Sequence, residues 1–230
     1  MRNAAAGRGD WLLLLDFDGT LTFRDVDFEV ADALLPPGRE RAYEPLAHRY
    51  ERLEIGLPEY FEGYLALLAA TPAEIARAAA AVRLRPGVDR LLATIAALGV
   101  EVRIVSEGVD AYVHPVLSTA GLGAVPVSCN RAVHDPETGR WQVTTAADGE
   151  PCARCLNCKG AHARRARAAG RRVAIVGNGA SDLCGARLAD LVVARDNLAH
   201  HCDREGLPYV PWTTLEDVQA ALRARVGATE

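Results

Sequence analysis

The sequence is poor in lysine, in aromatic residues and in long apolar runs. All of its 26 basic residues except Lys159 are arginine, Met occurs once, and aromatic side chains make up 6% of the 230 positions. The net charge is a small −4, so no global positive field recruits nucleic acid or an anionic membrane, and any recognition of phosphate has to be local. The first strongly apolar run, 11–15, is stopped by Asp16. That is far short of the roughly 20 residues of a transmembrane helix and of a secretory h-region, and the chain reads as cytoplasmic with no membrane partner. No internal repeat or low-complexity tract stands out. With 50% apolar and 24% charged residues, wholesale disorder, collagen-like repeats and a long coiled coil are excluded. What is left is one globular unit, long enough for a single α/β domain with one sizeable insertion.

Residues 1–10 are small and polar without periodicity and read as a frayed terminus. The run 11–15 has the form of a fully buried parallel strand ending at a turn. From 25 to 83 Ala, Leu and aromatic residues recur at helical spacing, interrupted at Pro36-Pro37-Gly38, Gly56-Leu57-Pro58 and Thr71-Pro72, which predicts about four helices. A helix opened by Pro86 and capped by Gly99 follows. Beyond it the pattern predicts a strand over 100–105 stopping at Ser106, a helix over 110–120 and a short strand over 125–127. Then come a hairpin with arms at 131–133 and 140–144, a helix over 160–169, a strand over 172–176 and a further helix. A strand over 191–194 and helices near 197–205 and 213–225 close the chain. Strands alternating with helices imply an α/β fold, a doubly wound parallel sheet with right-handed crossovers. Its core spans 11–24 and 84–230, with an inserted all-helical cap at 25–83.

In such a sheet ligands bind beyond the carboxyl ends of the strands. The polar residues there are Asp16 and Asp18, Ser106, and Asn178 with Asp182, joined by Lys159 at a helix start. Any one Asp could be a turn or capping residue; their joint arrangement points to chemistry. DFDGT at 16–20, VSEG at 105–108, Lys159 and GNGASD at 177–182 resemble the four motifs of the haloacid-dehalogenase-like (HAD) phosphohydrolases, over nearly the whole chain. Within that superfamily VDAYVHPVL at 109–117, Cys129-Asn130, CARCLNCK at 152–159 and ADLVVARDNLAHHC at 189–202 are similar to the methionine-salvage 2-hydroxy-3-keto-5-methylthiopentenyl-1-phosphate phosphatases. Phosphoserine and phosphocholine/phosphoethanolamine phosphatases are the neighbouring groups.

The resemblance implies a role for each position. Asp16 is the nucleophile, forming an aspartyl-phosphate. Asp18 is the general acid and then the base, and its backbone carbonyl joins Asp16, Asn178 and Asp182 around Mg²⁺. Ser106 and the amides near Glu107 and Gly108 bind phosphoryl oxygens at a helix N-terminus, beside the compact charge of Lys159. Asp25 stands where this branch carries an acidic cap residue near the substrate. Around 61–65 no arginine matches the carboxylate clamp of phosphoserine phosphatases, so free phosphoserine is not the expected substrate. Asn178 departs from the pattern, since the branch usually has Asp there. The expected protein is a Mg²⁺-dependent phosphatase of a small-molecule phosphomonoester, of methionine-salvage type or else a sugar, nucleoside or specialised-metabolite phosphate, acting as a monomer or homodimer. The rival class is a catalytically impaired binding protein on the same scaffold with a Cys-rich metal or RNA site.

Six cysteines, Cys129, Cys152, Cys155, Cys158, Cys184 and Cys202, default to free thiols or metal ligands in a reducing compartment. Cys152, Cys155 and Cys158 form C-x₂-C-x₂-C and make a candidate Zn²⁺ site if Cys129 or His162 supplies a fourth ligand; the alternative is a reduced loop or a local disulfide. His200-His201-Cys202 reads as an exposed helix face. Five arginines between 164 and 172 lack the interleaved aromatics of single-stranded RNA sites and read as a solvated face, without nucleic acid.

Overall fold

The computed structural model describes residues 10–36, 38, 39 and 41–227. Most of the segment expected to fray, 1–9, lies outside the described residues, as does Pro37 of the first helix-breaking cluster. Strand β1 (Trp11–Leu15) is buried along its whole length and lies at the centre of a seven-stranded sheet. The others are β2 (Glu101–Val109), β3 (Val127–His134), β4 (Trp141–Thr144), β5 (Arg172–Gly177), β6 (Leu191–Ala194) and β7 (Val210–Pro211). Their order is β4-β3-β2-β1-β5-β6-β7. Every pairing is parallel except the β3–β4 hairpin. Register places Leu15 opposite both Ile104 and Val176. The residues that follow, Asp16, Ser106 and Asn178, therefore emerge together on one edge. The chain leaves β1 toward β2 on one side and returns to β5 on the other, so the β1/β5 crevice is the topological switch point at which open α/β sheets bind ligands.

Four helices fill the segment between β1 and the next core helix: α1 (Val26–Leu34), α2 (Glu44–Glu51), α3 (Leu57–Leu67) and α4 (Pro72–Ala79). The expectation from periodicity is met, and Thr71 with Glu74 forms a capping box ahead of Pro72, satisfying donors that the first helical turn leaves open. The two chain passages leading into and out of this segment meet at a single antiparallel bridge, Thr22 to Leu84. The Arg85 guanidinium donates to the Gly19 carbonyl across 3.1 Å. The core helices are α5 (Val88–Ala97), α6 (Asp110–Thr119), α7 (Lys159–Ala168), the single-turn α8 (Leu183–Ala186), α9 (Asp196–Glu205) and α10 (Leu215–Val226).

One face of the sheet, with Leu13, Leu15, Ile104 and Val176, shares a continuous apolar cluster with Val26, Tyr43, Ile55, Tyr64 and Leu68 of the four-helix segment. The other face packs Leu12, Leu14, Val173 and Ile175 against Ala163, Leu183, Leu198 and Cys202. Truncating a fully buried residue such as Leu14 to Ala would cost about 2–5 kcal/mol.

Three expectations need correction. The strand predicted to stop at Ser106 continues to Val109, and its pairing with β3 shifts register between Val105 and Val109, as a bulge does. The strand at 125–127 and the hairpin arm at 131–133 are parts of one strand, β3, whose buried Ser128 and Asn130 hide the apolar alternation. The helix expected after β5 is reduced to a 3₁₀ turn, Ala180–Asp182, and α8. Among the described residues no helix is long and apolar enough to cross a membrane.

Candidate active site

Lys159 is fully buried at the start of α7. Its Nζ lies 2.6 Å from Asp16 Oδ1, 2.6 Å from Asp182 Oδ1 and 3.2 Å from Ser181 Oγ. Burial opposes its charge, but Asp16 and Asp182 outweigh that, and the ammonium is held above the ordinary lysine range. The second oxygen of Asp182 accepts the Asn178 and Gly179 amides, both at 3.0 Å. A side chain at Gly177 would strike that carboxylate at 2.2 Å. Asp182, expected as a metal ligand, is thus fixed as the anchor of Lys159. Burial first, then Asp182, pushes the Asp16 carboxyl up to about 7 against the pull of Lys159.

Asp18 is held from two directions. Its Oδ1 accepts the Val26 amide at 2.9 Å, at the start of α1, and its Oδ2 accepts the Ser106 hydroxyl at 3.0 Å. Burial, reinforced by Asp27, pushes its carboxyl up to about 7, so it keeps its proton into the neutral range. The expected phosphate cradle at 106–108 differs in form. These residues lie in β2 rather than at a helix N-terminus, and the Gly108 amide is given to Ser106 Oγ at 2.8 Å. The Glu107 side chain accepts the Leu156 and Asn157 amides at 3.2 and 3.0 Å and so pins the loop before α7.

The Asn178 amide decides whether a hard cation fits. Its Oδ1 accepts the Thr20 hydroxyl at 3.0 Å and stands 3.0 Å from the Asp18 carbonyl oxygen and 3.1 Å from Asp16 Oδ2. Oxygens at that separation with no proton between them are reconciled either by turning the amide or by a cation. Octahedral Mg²⁺ with ligands at 2.0–2.1 Å sets neighbouring oxygens about 3 Å apart. The spacing of Asp16 Oδ2, the Asp18 carbonyl and the Asn178 side chain matches that of neighbouring ligands around Mg²⁺, and a turned amide would instead donate to both oxygens.

Above this floor a small cavity of about 70 Å³ opens toward the four-helix segment. Its upper wall carries Asp25, Asp27 and Glu51 among Phe28, Tyr50, Tyr60, Phe61 and Tyr112, and among the described residues no Lys or Arg lines it. Asp27 accepts the Tyr60 hydroxyl, and its backbone carbonyl accepts Tyr64 at 2.9 Å. Burial, then Asp27, pushes Asp25 well above the usual carboxylate range. Burial alone does most of this for Asp27, whose carboxyl rises to about 6.

The family profile described as haloacid dehalogenase-like hydrolase matches residues 13–187, which includes all four motifs and the pair formed by Lys159 and Asp16. The chain belongs to the haloacid dehalogenase-like hydrolases. Its relatives include the 2-hydroxy-3-keto-5-methylthiopentenyl-1-phosphate phosphatases of Geobacillus kaustophilus, 32% identical over 92% of this chain and 95% of that one, and of Brevibacillus brevis, 28% identical over 90% and 92%. By family and by these full-length relatives the hydrolase is a phosphatase, a phosphoric monoester hydrolase. The fold is shared with a phospho-aspartyl intermediate analogue of phosphoserine phosphatase, at TM-score 0.72 and 19% identity over 94% of this chain and 99% of that one.

The hydrolase carries three further corrections. Cys129 does not join Cys152, Cys155 and Cys158: its Sγ is 3.9 Å from His114 Nε2. His162 faces Asn157 and Arg165, and the fourth thiol near the triplet is Cys184. His201 and Cys202 are buried in α9 rather than exposed. Arg164, Arg165, Arg167 and Arg171 pair with Glu150, Asp190 and Glu101 on the surface, in keeping with a solvated face. Sequence reasoning also missed Asp27, Glu51 and the cavity tyrosines, which sit on helices of ordinary composition. The Asp25-Val26-Asp27 pattern at the cap entrance was the available signal.

Proposed function

We propose that this hydrolase transfers the phosphoryl group of a small metabolite to Asp16 and then to water. The observation that carries the reading is the buried Lys159 paired with Asp16 at 2.6 Å, with Asp18 two residues along the chain and oriented by the Val26 amide and the Ser106 hydroxyl. An Asp16 oxygen bonds to phosphorus as the bond to the leaving oxygen breaks, and Asp18 gives its proton to that oxygen. The Asp18 carboxylate next takes a proton from water. The water oxygen attacks phosphorus, freeing Asp16 and inorganic phosphate and leaving Asp18 protonated again. Lys159 orients Asp16 and supplies a compact positive charge that a planar guanidinium would not reproduce. Asp16, the Asp18 carbonyl and Asn178 would hold Mg²⁺, which when bound neutralises charge on the phosphoryl group. The Ser106 hydroxyl positions Asp18.

Residues 25–83 act as the cap that selects the leaving group. The substrate name of the relatives contains a hydroxyl, a ketone and a methylthio group. Burial raises the carboxyls of Asp25, Asp27 and Glu51 and so disfavours their charged form, which suits an uncharged polar leaving group, and an aromatic wall suits a thioether. Among the described residues no Lys or Arg lines the cavity, and Arg24 of the adjoining hollow is paired with Asp32, which disfavours a substrate carboxylate such as that of phosphoserine. Steady-state kinetics with Mg²⁺ across a panel of this methylthio phosphate, phosphoserine, phosphocholine, sugar phosphates and nucleoside monophosphates tests the reading. The expected kcat/KM is about 100-fold or more higher for the methylthio compound than for phosphoserine, some 2.7 kcal/mol. A preference for phosphoserine overturns the substrate class. No turnover even of p-nitrophenyl phosphate overturns the chemistry and restores the rival binding-protein reading.

A further inference from the structure

Cys152, Cys155, Cys158 and Cys184 offer four sulfur atoms that all lie within 4.8 Å of one another. They come from two separate segments: the irregular stretch 145–158, between β4 and α7, and α8. Four ligands around one Zn²⁺ at about 2.3 Å stand roughly 3.8 Å apart, so the cluster is the size of a single-ion tetrahedron with nearly closed geometry. Two features show a built site. Cys152 Sγ accepts the Arg154 and Cys155 amides at 3.4 and 3.3 Å, so amide donors face a sulfur at the cluster's most exposed position. The apolar cluster under this loop consists only of Cys155, Cys158 and Ala161, with Cys184 packed beside it. Polar contacts hold the end of the loop, Glu107 accepting the Leu156 and Asn157 amides and Asn157 donating to the Ser106 and Ser128 carbonyls, and a bound metal would add a crosslink where the cysteines themselves meet.

We infer that these four cysteines bind one structural Zn²⁺ that staples the start of α7 to α8. The staple lies behind the catalytic floor. Cys158 immediately precedes Lys159, and Cys184 lies two residues beyond Asp182. The two segments approach so closely there that a side chain at Gly160 would meet the Cys184 carbonyl at 2.8 Å. The same loop offers the Arg154 carbonyl to the Leu57 amide at 2.8 Å, at the start of α3. Zinc would therefore hold Lys159 and Asp182 in register and anchor the cap's third helix from the core side. This positioning role rests on the proposed function; the metal site itself does not.

Protein purified without chelator from zinc-supplemented cells should contain about one Zn per chain, with an all-sulfur shell near 2.3 Å by X-ray absorption. Cys184→Ser should lose most of that zinc and lower Tm, whereas Cys129→Ser should retain it. Cys152→Ser, at the exposed ligand, provides a second variant if Cys184→Ser fails to fold, and should bind zinc at least tenfold more weakly in a competition titration. Less than about 0.2 Zn per chain, iron in place of zinc, a disulfide detected by mass under non-reducing conditions, or full zinc retention by either ligand variant overturns the inference. Metal content is read without a turnover assay, so its failure leaves the phosphatase reading standing.

Discussion

The floor and the upper wall of the cavity handle buried charge in opposite ways. On the floor, Lys159 sits between Asp16 and Asp182, and Asp182 is further held by two amides. On the wall, Asp25, Asp27 and Glu51 crowd together with no Lys or Arg lining the cavity among the described residues and Arg24 only in the adjoining hollow, and burial raises the pKa of each. A compensated charge network holds one geometry, and removing one partner of such a pair typically costs about 3–5 kcal/mol. A cluster of raised carboxyls changes its proton inventory with whatever enters. On the proposed function, the floor serves the one reaction and the wall discriminates among leaving groups.

That contrast can be broken at graded points. Asp16→Asn should abolish turnover, by at least about 1,000-fold in kcat, while circular dichroism and Tm show a folded protein. Appreciable phosphate release by the folded variant would remove Asp16 from the chemistry. Lys159→Arg keeps the charge but not its shape, and should lower kcat/KM by about tenfold or more, some 1.4 kcal/mol. Wild-type kinetics there would make the lone lysine an accident of composition. Asn178→Asp sharpens the metal side of the floor: an added anionic oxygen should lower the Mg²⁺ concentration for half-maximal activity severalfold and raise kcat. A Mg²⁺ titration showing equal or poorer response would take position 178 out of the metal site. The smallest effect belongs to the wall. Asp25→Asn should change KM for the preferred substrate by about three- to tenfold, yet leave kcat for p-nitrophenyl phosphate within about twofold. A parallel collapse of both would erase the distinction between wall and floor.

Much of the floor was legible in the sequence because each of its groups follows an apolar strand or opens a helix, and strand ends in a parallel sheet converge by register. Asp16, Asp18, Lys159 and Asn178 are such positions. The partners these groups choose were not legible. Asp182 turned out to anchor Lys159 because that choice depends on a distance across more than 20 residues of intervening chain, and the Gly108 amide to hold Ser106 because β2 runs on through these residues instead of stopping before them. The bulged continuation of β2 escaped detection because Ser106-Glu107-Gly108 lacks apolar alternation. Cys184 was passed over in favour of Cys129 for a related reason: proximity to a C-x₂-C-x₂-C run is set by the packing of α8 on α7, which spacing along the chain does not encode. The wall was the least legible, since an Asp or Tyr on an amphipathic helix reveals nothing about which cavity it faces.

The bond from the Val26 amide to Asp18 Oδ1 makes the proton donor a sensor of where the cap stands. Val26 is the first residue of α1, so an outward swing of that helix about the Thr22–Leu84 bridge withdraws one of the two groups that orient the carboxyl. In kinetic terms a mutation that loosens this attachment should register first as a loss of commitment, with more substrate escaping unreacted per encounter.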